Sequence, residues 1–171
     1  MMSAPRICPV RGLTKLGPYP PKGGFGEDVG EPSTPELEAY LKRIDVALHP
    51  GQQAEINLNA PQWLASASKA LQSGFILTID YGYPAPDLYT PRRKLGTLLC
   101  YYRHQIEENP YVRLGQQDIT SHVDFTSLMQ RGEALGLRKD RFEEQYRFLM
   151  AAGIVEELEE LECSSEKKKK K

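Results

Sequence analysis

The spacing of apolar positions divides the chain into short helices and strands. Apolar side chains recur every three or four residues over 37–48, which predicts an amphipathic helix. Thr34 and Pro35 favour its start, because threonine can accept hydrogen bonds from free amides and proline suits the first turn. The Pro50-Gly51 pair is expected to end it, and a short extended segment follows at 54–58.

A second helix followed by a strand is predicted over residues 59–80. Asn59 can cap the helix and Gly74 can end it, with an apolar face of Trp63, Leu64, Ala67 and Leu71. Residues 75–80 read FILTID, a nearly continuous apolar run typical of a strand buried on both faces of a sheet. A helix that leads into such a strand is half of a βαβ unit, so the pattern predicts an α/β fold.

The remaining pattern predicts one more strand and two more helices. TLLCYY at 97–102 is apolar enough for a strand, whereas residues 103–123 are polar and loop-like. Asp124 can cap a helix with apolar positions at 125, 128 and 129. A last amphipathic helix is expected over 146–161, with Gly153 as a break or bend.

Both ends of the chain differ in composition from the middle. Residues 1–32 are rich in proline and glycine, which predicts a flexible leader without a packed element. Gly24-Phe25-Gly26 resembles part of a phosphate-binding loop, but no strand precedes it and the next glycine falls one place too late. Residues 163–171 end in five lysines and are expected to form a disordered tail. The folded part is therefore expected over 33–162.

Charge and cysteine content exclude several classes of protein. The net charge is −1, but without the five terminal lysines 17 basic residues face 23 acidic ones, so 1–166 carry −6. Nucleic-acid binding rests mainly on neutralising phosphates, so this acidic body is no nucleic-acid surface. Three dispersed cysteines predict neither a zinc site nor a disulfide framework. The first residues show no secretory signal and no run is long enough to span a membrane, which favours the cytoplasm.

The first candidate site follows the predicted strand at 75–80. In an open α/β sheet, ligands bind beyond the carboxyl ends of the strands. Asp80 lies at that end, and Tyr81-Gly82-Tyr83 follows it with aromatic walls, hydroxyls and a glycine that allows close approach. The alternative is that Asp80 only caps a turn while the tyrosines pack.

The second candidate site is the cluster QDITSHVD at 117–124. A carboxylate such as Asp118 can orient His122 as a general base, and Thr120 lies between them. Tyr102 and His104 lie in the aromatic segment before it. A metal-dependent hydrolase that uses His104, Asp118 and His122 is an alternative reading of these residues.

Five segments in order resemble the MidA family of S-adenosylmethionine-dependent methyltransferases, whose members support assembly of respiratory complex I. Over roughly residues 50–155 they read EINLNAPQWL, GFILTIDYGYPAPDLYTPRR, GTLLCYYRH, QDITSHVDFTSL and RFLMAAGI. The resemblance implies a class I, Rossmann-like methyltransferase fold and methyl transfer to a protein nitrogen, with arginine as the expected acceptor. It implies that Asp80, His122 and Asp118 are catalytic and that the acceptor contacts Tyr81, Gly82, Tyr83, Tyr102, His104 and Thr120.

The family's cofactor-binding elements are not recognisable in this sequence. Members carry a Gly-rich loop after the first strand, an acidic residue after the second and an Asn-Glu-rich fourth strand. Residues 1–49 are too short to supply them, so 33–162 are expected to form only the C-terminal part of the sheet with its flanking helices. Cofactor-binding residues stay unassigned, and S-adenosylmethionine is expected to need a complementing chain. The alternative is a non-catalytic interaction module that contacts a protein substrate or respiratory-complex subunit.

Overall fold

A computed structural model describes residues 6–9, 15–18, 25–28 and 30–169, with side chains over 30–161. The chain divides into two compact units, Met1–Leu137 and Arg138–Lys171. The helices of the first unit are α1 (Glu36–Arg43), α2 (Ala60–Ala70), α3 (Ala85–Leu88) and α4 (Phe125–Ala134).

The strands of the first unit form four small sheets. Two are antiparallel pairs, β1 (Arg6–Pro9) with β4 (Gln53–Ile56) and β2 (Lys15–Pro18) with β3 (Phe25–Asp28). The third is a short parallel pair of β5 (Gly82–Tyr83) with β9 (Val123–Asp124). In the fourth, β6 (Leu99–Tyr102) lies between β7 (Gln105–Glu107) and β8 (Asp118–Thr120).

One hydrophobic cluster joins α1, β4 and α3. Helix α1 buries Leu37 and Tyr40 on one face because they lie three positions apart. The other buried members are Ile44, Ala54, Ile56, Ala85, Leu88 and Tyr89. These contacts place β4, with its single carboxyl group on Glu55, beside α1 and α3.

The helix starts follow the prediction more closely than the helix ends. Helix α1 ends at Arg43, well before the predicted Pro50-Gly51 stop. Asp45 has a φ of 56°, and the amide of Val46 donates to the carbonyl of Leu41, which is the geometry of a Schellman ending. Apolar periodicity continues past this point, so the pattern alone could not locate the stop.

The second predicted helix also ends early, at Ala70 instead of Gly74. Its first amides, those of Asn59 and Ala60, donate to Oδ1 of Asn57. The predicted cap of α4 is confirmed, since the Asp124 carboxylate accepts a hydrogen bond from the Ser127 amide.

The strand predicted over 75–80 is wrong for this structure. The segment belongs to no helix or strand, and Phe75, Leu77 and Ile79 are 85%, 61% and 56% exposed. A strand needs neighbours that exchange backbone hydrogen bonds with it, and no strand in the described ranges pairs with these residues. The run is apolar enough to be buried, but no other segment of the described chain covers it.

Two predicted irregular regions contain strands. The polar stretch 103–123 forms β7 and β8, and Arg103 and His104 join β6 to β7 with φ values of 50° and 64°. Positive φ at both central residues is typical of a type I′ hairpin turn. Such turns usually carry Asn-Gly, so Arg103-His104 gave no sequence signal for one.

In 1–32, the expectation of no packed element is wrong for the residues of β1, β2 and β3. The Gly24-Phe25-Gly26 loop begins outside the described residues.

The second unit consists of α5 (Gln145–Ala151) and α6 (Ile154–Lys169). The predicted break at Gly153 is confirmed, since its φ of 87° lies outside the helical range. Helix α6 continues to Lys169, in place of the disordered tail predicted from residue 163. Among the described helices, none combines the length and the apolar character needed to span a membrane.

Candidate functional site

A small pocket opens where α1, β4 and the segment leading into α4 meet. Its volume is ≈ 50 Å³, and its lining is mostly polar or aromatic. The lining residues are Tyr40, Glu55, Asn57, Ala60, Tyr89, Ser121, His122, Val123, Asp124, Ser127 and Leu128. A volume of this size accommodates one or two waters or the tip of a side chain.

Glu55 is one of two buried carboxyl groups that line this pocket, the other being Asp124. Glu55 is 7% exposed, although it carries a carboxylate. Its Oε2 atom accepts hydrogen bonds from the amide and the hydroxyl of Thr97, at 2.8 Å and 2.9 Å. Its Oε1 atom is buried without a hydrogen-bond donor among the described residues. Oε2 is thus held by Thr97, while Oε1 lies against Gly96, where a Cβ would collide with it.

His122 is linked to the same carboxylate through Thr97. The His122 amide donates to the Thr97 hydroxyl oxygen at 3.0 Å, and that hydroxyl in turn donates to Glu55. The imidazole lies 5.4 Å from the ring of Tyr83, centroid to centroid. Its Nδ1 atom is buried and has no hydrogen-bond partner in the described part of the chain.

Burial and a nearby cation keep His122 neutral. Desolvation lowers the pKa of His122 below its usual 6.5, and the positive charge of Arg93 lowers it further. The carboxylates of Glu55 and Asp80 oppose this shift but do not outweigh it. Arg93 itself stacks over the ring of Tyr83, with its guanidinium carbon 4.4 Å from the ring centroid. A neutral imidazole at pH 7 has one nitrogen free to accept a proton.

The other side of the pocket is a buried Tyr40–Asp124 pair. The Tyr40 hydroxyl donates to Oδ2 of Asp124 at 2.7 Å, while Oδ1 accepts from the Ser127 amide. Burial raises the pKa of Asp124, an effect that these hydrogen bonds partly offset. Burial likewise raises the pKa values of Tyr40 and Tyr89. Both oxygens of Asp124 are thus occupied by groups of the protein itself, so the pair stabilises the pocket wall and the start of α4.

The structure brings part of the first predicted site to this pocket. Asp80 is exposed and accepts a hydrogen bond from the amide of Tyr81, yet its charge acts on His122. Tyr83 lies against the His122 ring, whereas the Tyr81 side chain is 82% exposed. Gly82 has no room for a side chain, because a Cβ there would collide with the carbonyl of Val123 and the ring of Phe125.

Most of the second predicted site lies on the three-stranded sheet. Asp118 is exposed on β8, opposite Tyr101, and the charges that act on His122 do not include it. The hydroxyl of Thr120 donates to the carbonyl of Leu99. The Tyr102 ring lies 4.7 Å from the guanidinium of Arg113, centroid to carbon.

His104 is exposed in the β6–β7 turn. No group of three or more His, Cys, Asp or Glu in the described part of the chain could hold a metal ion. The hydrolase reading of His104, Asp118 and His122 therefore gains no support from the arrangement of these side chains.

Two residues of the site were not singled out from the sequence: Glu55, which lines the pocket, and Arg93, whose charge acts on His122. Glu55 did carry a signal, because it is a charged residue between Ala54 and Ile56 in a segment predicted to be extended. A carboxylate in such a setting is normally buried only with partners. Arg93 carried no such signal. It stacks on Tyr83, which lies ten positions away, and its charge acts on His122, and neither contact is visible in the sequence.

The pocket beside Glu55 is too small to hold S-adenosylmethionine. Pockets that bind small molecules of this class usually measure about 300–1,000 Å³. The pocket beside Glu55 measures ≈ 50 Å³. The group therefore does not fit this pocket.

Comparison with known proteins gives one family match. Residues 12–143 match the model of a family described as "Putative S-adenosyl-L-methionine-dependent methyltransferase". No curated protein matches the chain.

Two crystal structures from Burkholderia thailandensis resemble the chain, each at 32% sequence identity. One is described as a "likely methyl transferase" bound to S-adenosyl-homocysteine; it covers 95% of this chain with a TM-score of 0.80. The other is a native structure of an uncharacterized protein of the same superfamily; it covers 91% with a TM-score of 0.78. The fold predicted from the sequence, a partial Rossmann-like methyltransferase fold, is confirmed by this likeness. The chain spans only 42% and 41% of the two solved chains.

Proposed function

Since the chain belongs to this family of S-adenosylmethionine-dependent methyltransferases, we propose that the pocket beside Glu55 and His122 holds the acceptor nitrogen of a methyl transfer. We further propose that the acceptor is a protein nitrogen, with the guanidinium of arginine as the preferred group. The resemblance to the MidA family supports this choice and favours a subunit of respiratory complex I as the acceptor protein.

The observation that carries this proposal is the free oxygen of a buried carboxylate. Leaving an acceptor atom of Glu55 buried and unpaired costs about 1–3 kcal/mol, and more when the group is charged. A cationic guanidinium supplies both the missing donor and the opposite charge, in a planar geometry that suits a carboxylate. The pocket volume of ≈ 50 Å³ suits the tip of such a side chain.

His122 supplies the second requirement of nitrogen methylation. In such a transfer one N–C bond would form as the S–C bond of the methyl donor breaks, and the nitrogen would release one proton. His122 is neutral at pH 7 and has a buried, unpartnered Nδ1 atom beside the pocket, so it can accept that proton. Thr97 holds the Glu55 carboxylate and the His122 backbone at a fixed separation through one hydroxyl. Glu55 would thus bind and orient the acceptor, and His122 would act as the base.

The test is selective binding of arginine over an uncharged analogue of the same shape. Isotope-labelled chain is titrated with N-acetyl-arginine amide and with N-acetyl-citrulline amide, and the backbone signals of Glu55, Thr97 and His122 are followed by NMR. We expect shifts with arginine and none with citrulline, and loss of the response in Glu55→Gln. Glu108→Gln, an exposed carboxylate outside the pocket, is the matched control. Equal responses to the two ligands would exclude a cation site at Glu55.

A non-catalytic interaction module is the second candidate. It is favoured by one observation, that the pocket of ≈ 50 Å³ is too small for a methyl-donor cofactor. The chain would then bind an arginine-bearing protein without modifying it. Mass spectrometry of a complex I subunit captured by the chain separates the two candidates when S-adenosylmethionine and a complementing chain that binds it are both present, because only the enzyme then adds the mass of a methyl group.

A further inference from the structure

Residues 75–80 form an apolar surface segment that nothing in the described chain covers. The side chains at alternate positions are strongly exposed: Phe75 by 85%, Leu77 by 61% and Ile79 by 56%. Tyr81, which continues the same alternation, is 82% exposed. Contiguous apolar surface of this kind on a folded protein marks an interaction site.

The backbone of this segment is equally unpartnered. No backbone hydrogen bond joins residues 75–80 to another strand in the parts of the chain that the structure describes. Directly after it, the carbonyl of Tyr81 accepts a hydrogen bond from the Val123 amide, and Gly82 and Tyr83 then pair in parallel with β9. The segment therefore leads straight into a parallel ladder, which starts only where it ends.

A sequence that is apolar at successive positions is suited to the inside of a parallel sheet. Such strands are paired along their edges and covered on both faces by helices. Free main-chain donors and acceptors beside apolar side chains are the features that a further strand recognises when it adds to a sheet. The parallel pairing at 82–83 shows that the chain enters a parallel ladder directly after this segment.

The solved relatives indicate what the occupant is. The first of them covers 95% of this chain at a TM-score of 0.80, yet this chain spans 42% of it, so more than half of that protein lies outside the match. We propose that residues 75–80 are a docking strand that pairs, by main-chain hydrogen bonds and apolar contacts, with a polypeptide corresponding to that unmatched part. A second copy of this chain offers the same short segment and would leave the two faces of the pair uncovered.

This inference does not depend on the acceptor chemistry at Glu55, so the two can fail separately. The probe is the part of the Burkholderia thailandensis protein that lies outside the matched region, produced as a separate polypeptide and mixed with the full 171-residue chain. We expect an equimolar complex by light scattering. Hydrogen exchange at the amides of 75–80 should slow by roughly a hundredfold or more on mixing.

Two variants separate main-chain pairing from side-chain contact. Thr78→Pro removes one backbone donor, and Leu77→Lys places a charge in the apolar face. Both should abolish the complex while circular dichroism of the isolated chain stays unchanged, because the segment makes no ladder there. Leu95→Lys, a change at a 77% exposed leucine outside the segment, should leave binding intact.

Three results would overturn the proposal. The first is a chain that does not bind the probe, and the second is binding without protection of 75–80. The third is self-association of this chain alone that Thr78→Pro and Leu77→Lys abolish, since the occupant would then be a second copy.

Discussion

Tyr40 and Asp124 lie 84 positions apart in the sequence, and their side chains meet in a buried hydrogen bond of 2.7 Å. The bond joins α1 to the start of α4 and forms one side of the pocket that Glu55 and His122 share. Asp124 also caps α4 through the Ser127 amide, so a single carboxylate serves both the helix and the pocket.

Tyr40→Phe should lower the free energy of unfolding by about 1–3 kcal/mol, because it leaves a buried carboxylate oxygen without its donor. Urea denaturation monitored by circular dichroism measures the change. Tyr101→Phe, on the exposed Tyr101, is the control and should stay within about 0.5 kcal/mol of the parent. If Tyr40→Phe leaves the free energy of unfolding unchanged, the Asp124 oxygen has found another hydrogen-bond donor.

His122 should make the stability of the chain depend on pH. Its pKa is lower in the folded state than the usual 6.5, chiefly because of burial, so the unfolded chain binds the proton more readily. The stability contribution is fully present above pH 6.5 and is lost as the pH falls through the folded-state pKa. Urea unfolding of the parent and of His122→Gln at about pH 7.5 and about pH 5 should show the two converging at the lower pH.

The charges around His122 should move its pKa in opposite directions. Removing the nearby cation with Arg93→Gln should raise the His122 pKa, and removing the nearby anion with Glu55→Gln should lower it. NMR titration of the imidazole protons gives both values directly. Asp118→Asn is the informative control, because Asp118 is exposed on β8 and does not act on the imidazole. A pKa shift with Asp118→Asn as large as that with Glu55→Gln would contradict the finding that Glu55, and not Asp118, acts on His122.

Gly82→Ala should destabilise the chain by about 1–3 kcal/mol, because a Cβ at this position has no space between the Val123 carbonyl and the Phe125 ring. Thermal unfolding and hydrogen exchange at β9 measure the effect. Gly30→Ala is the matched control, since a Cβ there meets nothing within 4 Å. If the two variants unfold at the same temperature, the parallel pair does not restrict position 82.

Local signals in the sequence located several elements correctly. Asp124 caps α4 and Gly153 breaks the last helix because capping and positive φ are properties of single residues and their immediate neighbours. Periodicity also placed Leu37 and Tyr40 on the buried face of α1. The same reasoning overran the end of α1, because a Schellman ending at Asp45 has no strong sequence signature without glycine.

The candidate site was only partly predictable. His122 was identified as a base, but its predicted partner Asp118 lies on another sheet, while Glu55 reaches His122 from β4 through Thr97. Proximity in sequence suggested the pair of Asp118 with His122. The pair of Glu55 with His122 exists only because α1, β4 and α4 pack together. Sequence-based prediction cannot supply such a pairing, because it depends on contacts between segments dozens of residues apart.

By itself, the sequence determined that residues 75–80 are apolar, that a methyltransferase-like α/β pattern surrounds them, and that Asp80 ends the run. The tertiary structure decided that this run pairs with no strand of the described chain and that Glu55 joins Asp124 as a buried acid of the pocket. The physical reason is the same in both cases. The sequence specifies the polarity of each side chain directly. A strand or a charged pocket, in contrast, exists only when other segments supply hydrogen bonds and exclude water.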